Sequence, residues 1–265
     1  MRRTALLLLC LIAATPLFAQ KRRAAGQSWW LDGQHILWIG AHPDDEVLVA
    51  PLLGRLCAEG RSFCTMLVLT RGEGGVCALP GGCSPDLGSV REQEMQAAAA
   101  LFKANLRQLT LPDVQENVAG AWGAAAGGRE ELVAQIAAII HFQRPGAVLT
   151  FDPAHGSTCH PAHREAGRLV LDAYARLGNE VPPLLQIETG VLQTASSYRF
   201  FNVLSNSWEF IAEPWWDYAI RAVKIHASQF TNEQVAALEA TPGSERRIWL
   251  RTVPSPAGTY ALTCQ

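Results

Sequence analysis

The sequence contains no Cys-x-x-Cys pair, so it offers neither a zinc ribbon nor a thioredoxin-type redox site. It also lacks an excess of basic charge: 22 Lys and Arg stand against 24 Asp and Glu, a formal net charge of -2. A generic nucleic-acid binder carries a strongly basic surface, so that class is disfavoured. No internal repeat and no low-complexity tract occurs. Beyond the N-terminal segment, no apolar run approaches the roughly 20 residues of a membrane-spanning helix. What remains is a chain of 265 residues that is 49% hydrophobic, 17% charged and 8% aromatic. That profile has ample core-forming material and excludes a disordered tail, a collagen or a coiled coil.

The first residues read as an address. Arg2 and Arg3 form a short positive start, residues 4–14 are apolar or small, and Pro16 to Ala19 offers a small residue before Gln20. This is the order of a secretory signal peptide. The expectation is a signal over residues 1–19, export to a periplasmic or extracellular space, and one folded domain over residues 20–265. Loss of Arg2 and Arg3 moves the net charge from -2 to -4, and the mature chain is expected to have no transmembrane helix. Cys10 leaves with the signal, and six cysteines remain: Cys57, Cys64, Cys77, Cys83, Cys159 and Cys264. An even number in an exported chain permits disulfides. Cys77 and Cys83 flank the Gly-rich turn at residues 79–82 and are the easiest pair to close. Cys57 and Cys64 read as core cysteines.

Short apolar runs at residues 35–40, 62–70, 106–111 and 147–151 read as buried strands. Helical spacing is seen over residues 44–59, 89–103, 130–142 and 160–177, and residues 71–88 form a Gly-, Pro- and Cys-rich loop. The alternation of strand and helix predicts an α/β fold: a mostly parallel sheet between two helical layers. After Pro182-Pro183 the regularity weakens. Strands over residues 185–189, 199–203 and 247–253 and helices over residues 214–226 and 232–239 are the readings there.

Two histidine clusters follow strand ends. Ala41-His42-Pro43-Asp44-Asp45-Glu46 succeeds the first strand, and His155-Gly156-Ser157-Thr158-Cys159-His160-Pro161-Ala162-His163-Arg164 succeeds the strand at residues 147–151. Ligands of open parallel sheets bind at the carboxyl ends of strands, so the two clusters can converge. His42 and Asp45 are three apart, as are His160 and His163, and such pairs share a helix face. Alone, a His-x-x-His is usually surface decoration, and Asp44-Asp45 is an ordinary acidic helix start. Together they offer imidazole and carboxylate in the mixture that suits Zn²⁺, with more candidates than the three ligands a catalytic site uses.

These residues resemble the PIG-L/LmbE-like zinc-dependent de-N-acetylases. The likeness starts at residues 41–46 and continues through Leu69-Thr70-Arg71-Gly72-Glu73-Gly74-Gly75, Arg91-x-x-Glu94 and Leu111-Pro112-Asp113. It includes Asp152-Pro153-x-His155-Gly156, His160-Pro161-x-His163-Arg164 and Lys224-Ile225-His226-Ala227-Ser228-Gln229. The resemblance implies a Rossmann-like fold and one zinc per chain, with Fe²⁺ or another divalent ion as the alternative. It implies His42, Asp45 and His163 as metal ligands, Asp44 as general base, and His160 as the group that steadies the tetrahedral intermediate or protonates the leaving amine. Ala162 stands where the commonest form of the motif has Asp. That leaves the ligand positions intact and removes any supporting role of that carboxylate.

Arg71 and Glu73, at a strand end on the same sheet edge, are candidate substrate contacts, as are Asp113 and His226. His155 is read as orienting or capping its loop, His35 and His141 as structural, and Trp215-Trp216 as packing. The expected activity is removal of an N-acetyl group from an N-acetylglucosamine-type sugar, with that small molecule as partner. The rival readings are a zinc amidase acting on another amide, such as a thiol-sugar conjugate, and a carbohydrate-binding protein on the same scaffold.

Overall fold

A computed structural model describes residues 29–178, 181–188, 191–193, 198–200 and 208–253. The expected signal peptide, Cys10, Cys264 and the end of the strand expected at residues 199–203 lie outside the described residues. Among the described residues no helix is long and apolar enough to cross a membrane.

A seven-stranded sheet runs in the order β3-β2-β1-β4-β5-β9-β8. The strands are β1 (His35–Gly40), β2 (Phe63–Thr70), β3 (Asn105–Leu111), β4 (Ala147–Phe151), β5 (Leu184–Ile187), β8 (Trp208–Ile211) and β9 (Arg247–Val253). A separate hairpin joins β6 (Val191–Gln193) to β7 (Tyr198–Phe200). The pairings from β3 through β5 are parallel. β9 and β8 join antiparallel at the far side. β1, β4 and β5 are buried along nearly their whole length. This is why they read as unbroken apolar runs and not as alternating ones.

The helices are α1 (Ala50–Leu53), α2 (Leu87–Leu101), α3 (Val118–Ala125), α4 (Arg129–Gln143), α5 (Pro161–Leu177), α6 (Trp216–Ile225) and α7 (Asn232–Glu239). They cover both sides of the sheet, with α1, α2 and α6 packed together and α3, α4 and α5 packed together. The expected α/β fold with a mostly parallel sheet is the fold adopted.

Four local features differ from the sequence reading. The helix expected over residues 44–59 changes pitch twice. A tight 3-10 turn at Asp45–Val49 leads into α1, and a wide π turn at Gly54–Ala58 follows. Pro51 has no N–H to donate back into the tight turn. At Gly54 a Cβ would lie 2.2 Å from the ring of Tyr218, so α6 closes directly onto the backbone there. α3 is not evident from the sequence because Ala-Gly-Ala-Trp-Gly-Ala-Ala has two glycines, each costing about 1 kcal/mol against Ala in a helix. Burial of Trp122, whose Nε1 donates to the Pro112 carbonyl (3.0 Å), overrides that cost. β8 is not evident either, and its pairing with β9 supplies what its four residues lack.

Cysteine pairing is the fourth difference. Cys77 and Cys83 are bridged as expected. Cys57 and Cys64 are buried in the core but are also bonded to each other, closing the turn between α1 and β2. Cys159 is disulfide-bonded as well. A loop of this size contributes about 2–3 kcal/mol in the chain-entropy picture. The Cys57→Ala/Cys64→Ala double variant is therefore expected to unfold at lower urea by about that free energy. An unchanged midpoint and slope would show that the bridge adds nothing.

Candidate metal centre and active site

The strand connections run β1, β2, β3 in one direction and β4, β5 in the other, so the sheet has its switch point between β1 and β4. Ligands of doubly wound sheets bind in the crevice outside the strand ends at such a point. His42 follows β1, and His163 lies in the first turn of α5, the helix after β4. Although 121 residues separate them, His42 Nδ1 and His163 Nε2 are 3.3 Å apart.

The first cluster is held by its own backbone. The N–H groups of Ala41 and His42 both donate to Asp45 Oδ2, at 2.6 and 2.8 Å. This leaves Oδ1 facing His163 Nε2 at 2.9 Å and His42 Nδ1 at 3.5 Å. The Thr70 hydroxyl, from β2, donates to the Ala41 carbonyl. Asp44 takes a left-handed backbone conformation, φ 98°. That conformation is strained in a non-glycine residue and is held only where the surroundings over-determine it. Those surroundings are visible. Glu46 Oε2 accepts from the Asp44 N–H, and Glu46 Oε1 lies 2.6 Å from His226 Nε2, with both side chains fully buried. The buried Arg91 guanidinium, from α2, reaches Asp44 Oδ2 (2.9 Å), the Gly72 carbonyl (2.9 Å) and the Pro43 carbonyl. Gly72 has positive φ, and a Cβ there would lie 2.4 Å from Arg91, so only glycine lets the guanidinium in.

The second cluster begins at Asp152, directly after β4. Asp152 Oδ1 accepts from the N–H groups of Ala154 and His155 at 2.8 and 3.0 Å. The loop then turns through Gly156, Ser157 and Cys159, all at positive φ. The Gly156 carbonyl lies 2.9 Å from His163 Nδ1, and the Thr158 hydroxyl lies 3.0 Å from the same nitrogen. The His163 ring stacks on Phe151, with centroids 4.2 Å apart and planes within 3°. His160 caps α5: its Nδ1 accepts from the Ala162 N–H at 3.3 Å. Its ring centroid lies 4.7 Å from that of His42 and 4.9 Å from that of His163.

Three donor atoms thus face one another: His42 Nδ1, His163 Nε2 and Asp45 Oδ1, separated by 2.9–3.5 Å. Ligands about 2.0–2.1 Å from a tetrahedral zinc are roughly 3.3 Å apart, so this donor set fits a divalent cation. His42, His160 and His163 also form a compact group with ligand atoms within 4.8 Å of one another. The far ring nitrogens fit the same role. His42 Nε2 is 3.2 Å from Asp113 Oδ1 and His163 Nδ1 meets the Gly156 carbonyl. Such outer partners orient metal-bound imidazoles and set their tautomers.

The electrostatics follow from this crowding. Burial opposes charge on His42, but Asp45 and Asp113 beside it hold the imidazolium, pushing its pKa up to about 10. Burial works against ionised Asp45 too, yet His163 and His42 keep it well below the usual carboxylate range. A proton on the imidazole balances the carboxylates here, which is the place a divalent cation would take. Asp44 is pushed up to about 6 by burial and by the Asp45 charge, against the pull of Arg91, His226 and His42. His160 falls to about 4 through burial and the neighbouring His163 and His42. A neutral His160 whose Nδ1 accepts from the backbone carries its proton on Nε2.

The candidate substrate contacts fall in different places. Asp113 Oδ2 accepts from the Gly74 N–H, its backbone N–H donates to Glu73, and Oδ1 faces His42. Asp113 and Glu73 therefore form one bracket behind His42. Arg71 turns to Glu92, Ser89 and Asp86 on α2 and its cap. His226 is fully buried and sits behind Asp44, holding Glu46. Ser228 binds the Glu94 carboxylate through its N–H and hydroxyl. Its carbonyl accepts from the Ala78 N–H, tying the disulfide-closed loop to the same frame. His35 bridges the Gln143 carbonyl and Thr65. Trp215 packs on Phe210 and donates to Glu59, while Trp216 donates to the Leu238 carbonyl. Sequence reasoning places Arg91 only within a motif. Glu46 and Asp152 likewise stand within motifs with no role assigned, and Arg251, on β9, is missed altogether.

The chain is 29% identical over 163 residues to the 1D-myo-inositol 2-acetamido-2-deoxy-alpha-D-glucopyranoside deacetylase of Rhodococcus opacus (strain B4), covering 56% of this chain and 55% of that protein. The chain spans about half the length of the curated relatives it matches. Among solved structures, it overlays on N,N'-diacetylchitobiose deacetylase from Pyrococcus horikoshii with a TM-score of 0.59 and 18% identity, covering 84% of this chain and 85% of that one. It overlays equally on GalB, the 4-carboxy-2-hydroxymuconate hydratase from Pseudomonas putida KT2440, with a TM-score of 0.58 and 16% identity, covering 87% of this chain and all of that one. Those two likenesses concern the fold, which hosts more than one chemistry. The family described as PIG-L, GlcNAc-PI de-N-acetylase, matches residues 37–174, more than half of the sequence and both histidine clusters, and the chain belongs to that family.

Proposed function

We propose that this protein is an exported, divalent-metal-dependent hydrolase that removes the acetyl group from an N-acetylglucosamine-type sugar. The observation that carries the reading is the placing of Asp44. This strained, half-buried carboxylate is held by Arg91 directly beside the donor set of His42, Asp45 and His163. Membership of a de-N-acetylase family supports the reaction class. Two disulfides among the described residues support an oxidising compartment.

A cation held by His42, Asp45 and His163, with zinc favoured by the donor types, would polarise an amide carbonyl and acidify a water molecule. Asp44 accepts the proton that this water loses as it attacks the carbonyl carbon. Arg91 keeps that carboxylate aimed and limits how far burial raises its pKa. The Nε2–H of His160 donates to the carbonyl oxygen as negative charge grows there, a role a neutral imidazole can fill. The proton on Asp44 passes to the departing nitrogen as the C–N bond breaks, and the second proton of the water leaves the new carboxylic acid, so the products are acetate and a protonated amine. Asp113 and the Gly156 carbonyl keep the two imidazoles turned to the donor set throughout.

Acetate release across a library of N-acetyl sugars, with and without a chelator, tests the proposal. Release that the chelator abolishes and added metal restores is the expected result. No release from any member, from a protein that binds metal, would favour the carbohydrate-binding reading instead. A further expectation concerns pH. The base must be ionised, and its pKa lies at about 6. kcat/KM should therefore rise as pH increases through about 6 and fall roughly tenfold per unit below it. A profile flat between pH 5 and 7 would remove Asp44 from that role.

A further inference from the structure

The loop that carries the second histidine cluster is held from behind by a strand that lies outside the matched family region. Arg251, on β9, is buried. Its guanidinium reaches Asp152 Oδ2, Glu188 Oε1 (2.7 Å) and Gln186 Oε1 (2.8 Å). Asp152 follows β4, Gln186 lies on β5 and Glu188 follows it, so one side chain gathers the ends of two neighbouring parallel strands. Asp152 and Glu188 are nearly inaccessible to solvent. Two carboxylates buried this closely need a cation between them, and the planar fork of Arg can serve several acceptors where the point charge of Lys cannot.

We infer that Arg251 is a positioning residue for the metal centre. With Oδ2 of Asp152 fixed by Arg251, Oδ1 is set to accept from the Ala154 and His155 N–H groups. The Asp152 carbonyl accepts from the Gly156 N–H at 2.7 Å. These bonds place the Gly156 carbonyl against His163 Nδ1. The contact leaves no slack: Gly156 is at φ 56°, and a Cβ there would lie 2.7 Å from His163 Cβ. A shift of Asp152 therefore passes through five residues of tight loop to the ring that presents Nε2 to Asp45 and His42. Well-packed apolar residues could fill this part of the core at no greater cost than a buried ion cluster. What they could not supply is the fixed orientation of the loop.

The inference rests on the metal reading given above, and the test separates the two. Co²⁺ is titrated into the wild-type protein and into Arg251→Met, Arg251→Lys and Arg55→Met, following the visible ligand-field absorption and, separately, Tm. Arg55 pairs with Asp32 and lies between Trp29 and Trp215, none of which belongs to the loops of the centre. It therefore reports what the loss of a buried ion pair does to stability alone. The expected result is a Kd for Co²⁺ weakened about 10-fold or more in Arg251→Met, at the lower end of what outer partners contribute, with a shifted absorption band. Arg251→Lys should lie in between, and Arg55→Met should lose Tm with Kd and band unchanged. An unchanged Kd and band in Arg251→Met overturns the positioning role whatever happens to Tm. If that variant does not fold, the same result in Arg251→Lys overturns it. A wild-type protein that takes up no Co²⁺ sinks the metal reading itself, and with it the inference.

Discussion

Asp44→Asn should lower kcat by about 10²–10⁴, the range that a positioned general base contributes, while the protein still binds its metal. The substitution is nearly isosteric. Asn, like Asp, visits the left-handed backbone more readily than other non-glycine residues, and its side-chain oxygen can still accept from Arg91. The three donor atoms belong to His42, Asp45 and His163, and none is altered. What disappears is the group that takes a proton from the attacking water and returns it to the amine. The rise of kcat/KM through about pH 6 should vanish with it. Metal content per chain and steady-state kinetics on the same preparation check both halves. Near-normal turnover in the metal-loaded variant would end the assignment of Asp44 as base. Loss of metal would mean that Asp44 belongs to the donor set.

His163→Ala is expected to abolish metal retention after dialysis and, with it, all measurable turnover. The ring supplies one donor atom directly, and its removal strips Asp45 Oδ1 of its nearest partner, at 2.9 Å. A second effect is on stability. The imidazole stacks on Phe151, and its Nδ1 meets the Gly156 carbonyl, so truncation leaves a cavity and removes one hydrogen bond from an oxygen that still accepts from the Thr158 N–H. The two together should cost about 2–4 kcal/mol. Metal analysis and urea unfolding report the two effects separately. Full occupancy in His163→Ala would contradict the ligand set and favour a centre built on His42 and His160.

Asp44→Asn and His163→Ala concern residues that the sequence alone makes legible. His42, Asp44, Asp45, His160 and His163 stand within a few positions of strand ends, and their spacing and order mark them. The same holds for the strands β1, β2 and β4, whose apolar runs are continuous because both faces are covered. Legibility fails where the signal is not local. α3 has a poor helix sequence and forms because Trp122 is buried. β8 has four residues and depends on β9. Cys57 and Cys64 read as core residues and are indeed buried, but whether two buried cysteines meet depends on how the helix returns to the sheet.

By itself, the sequence determined the fold class, the two clusters that line the switch point, the family and the residue types offered to a cation. Those are properties of short segments: the period of apolar residues, a motif of six, an imidazole three positions from a carboxylate. Only the tertiary structure decided which nitrogen of each histidine faces the donor set and what holds it there. His42 is turned by Asp113 and His163 by the Gly156 carbonyl. The strained backbone of Asp44 is held by Glu46, which His226 locks from 180 residues away. Asp152 is tied to Arg251 across 99 residues. The physical reason is that a hydrogen bond has a range of about 3 Å. It forms only after the order of strands in the sheet has brought distant parts of the chain that close, and strand order is written in no single segment.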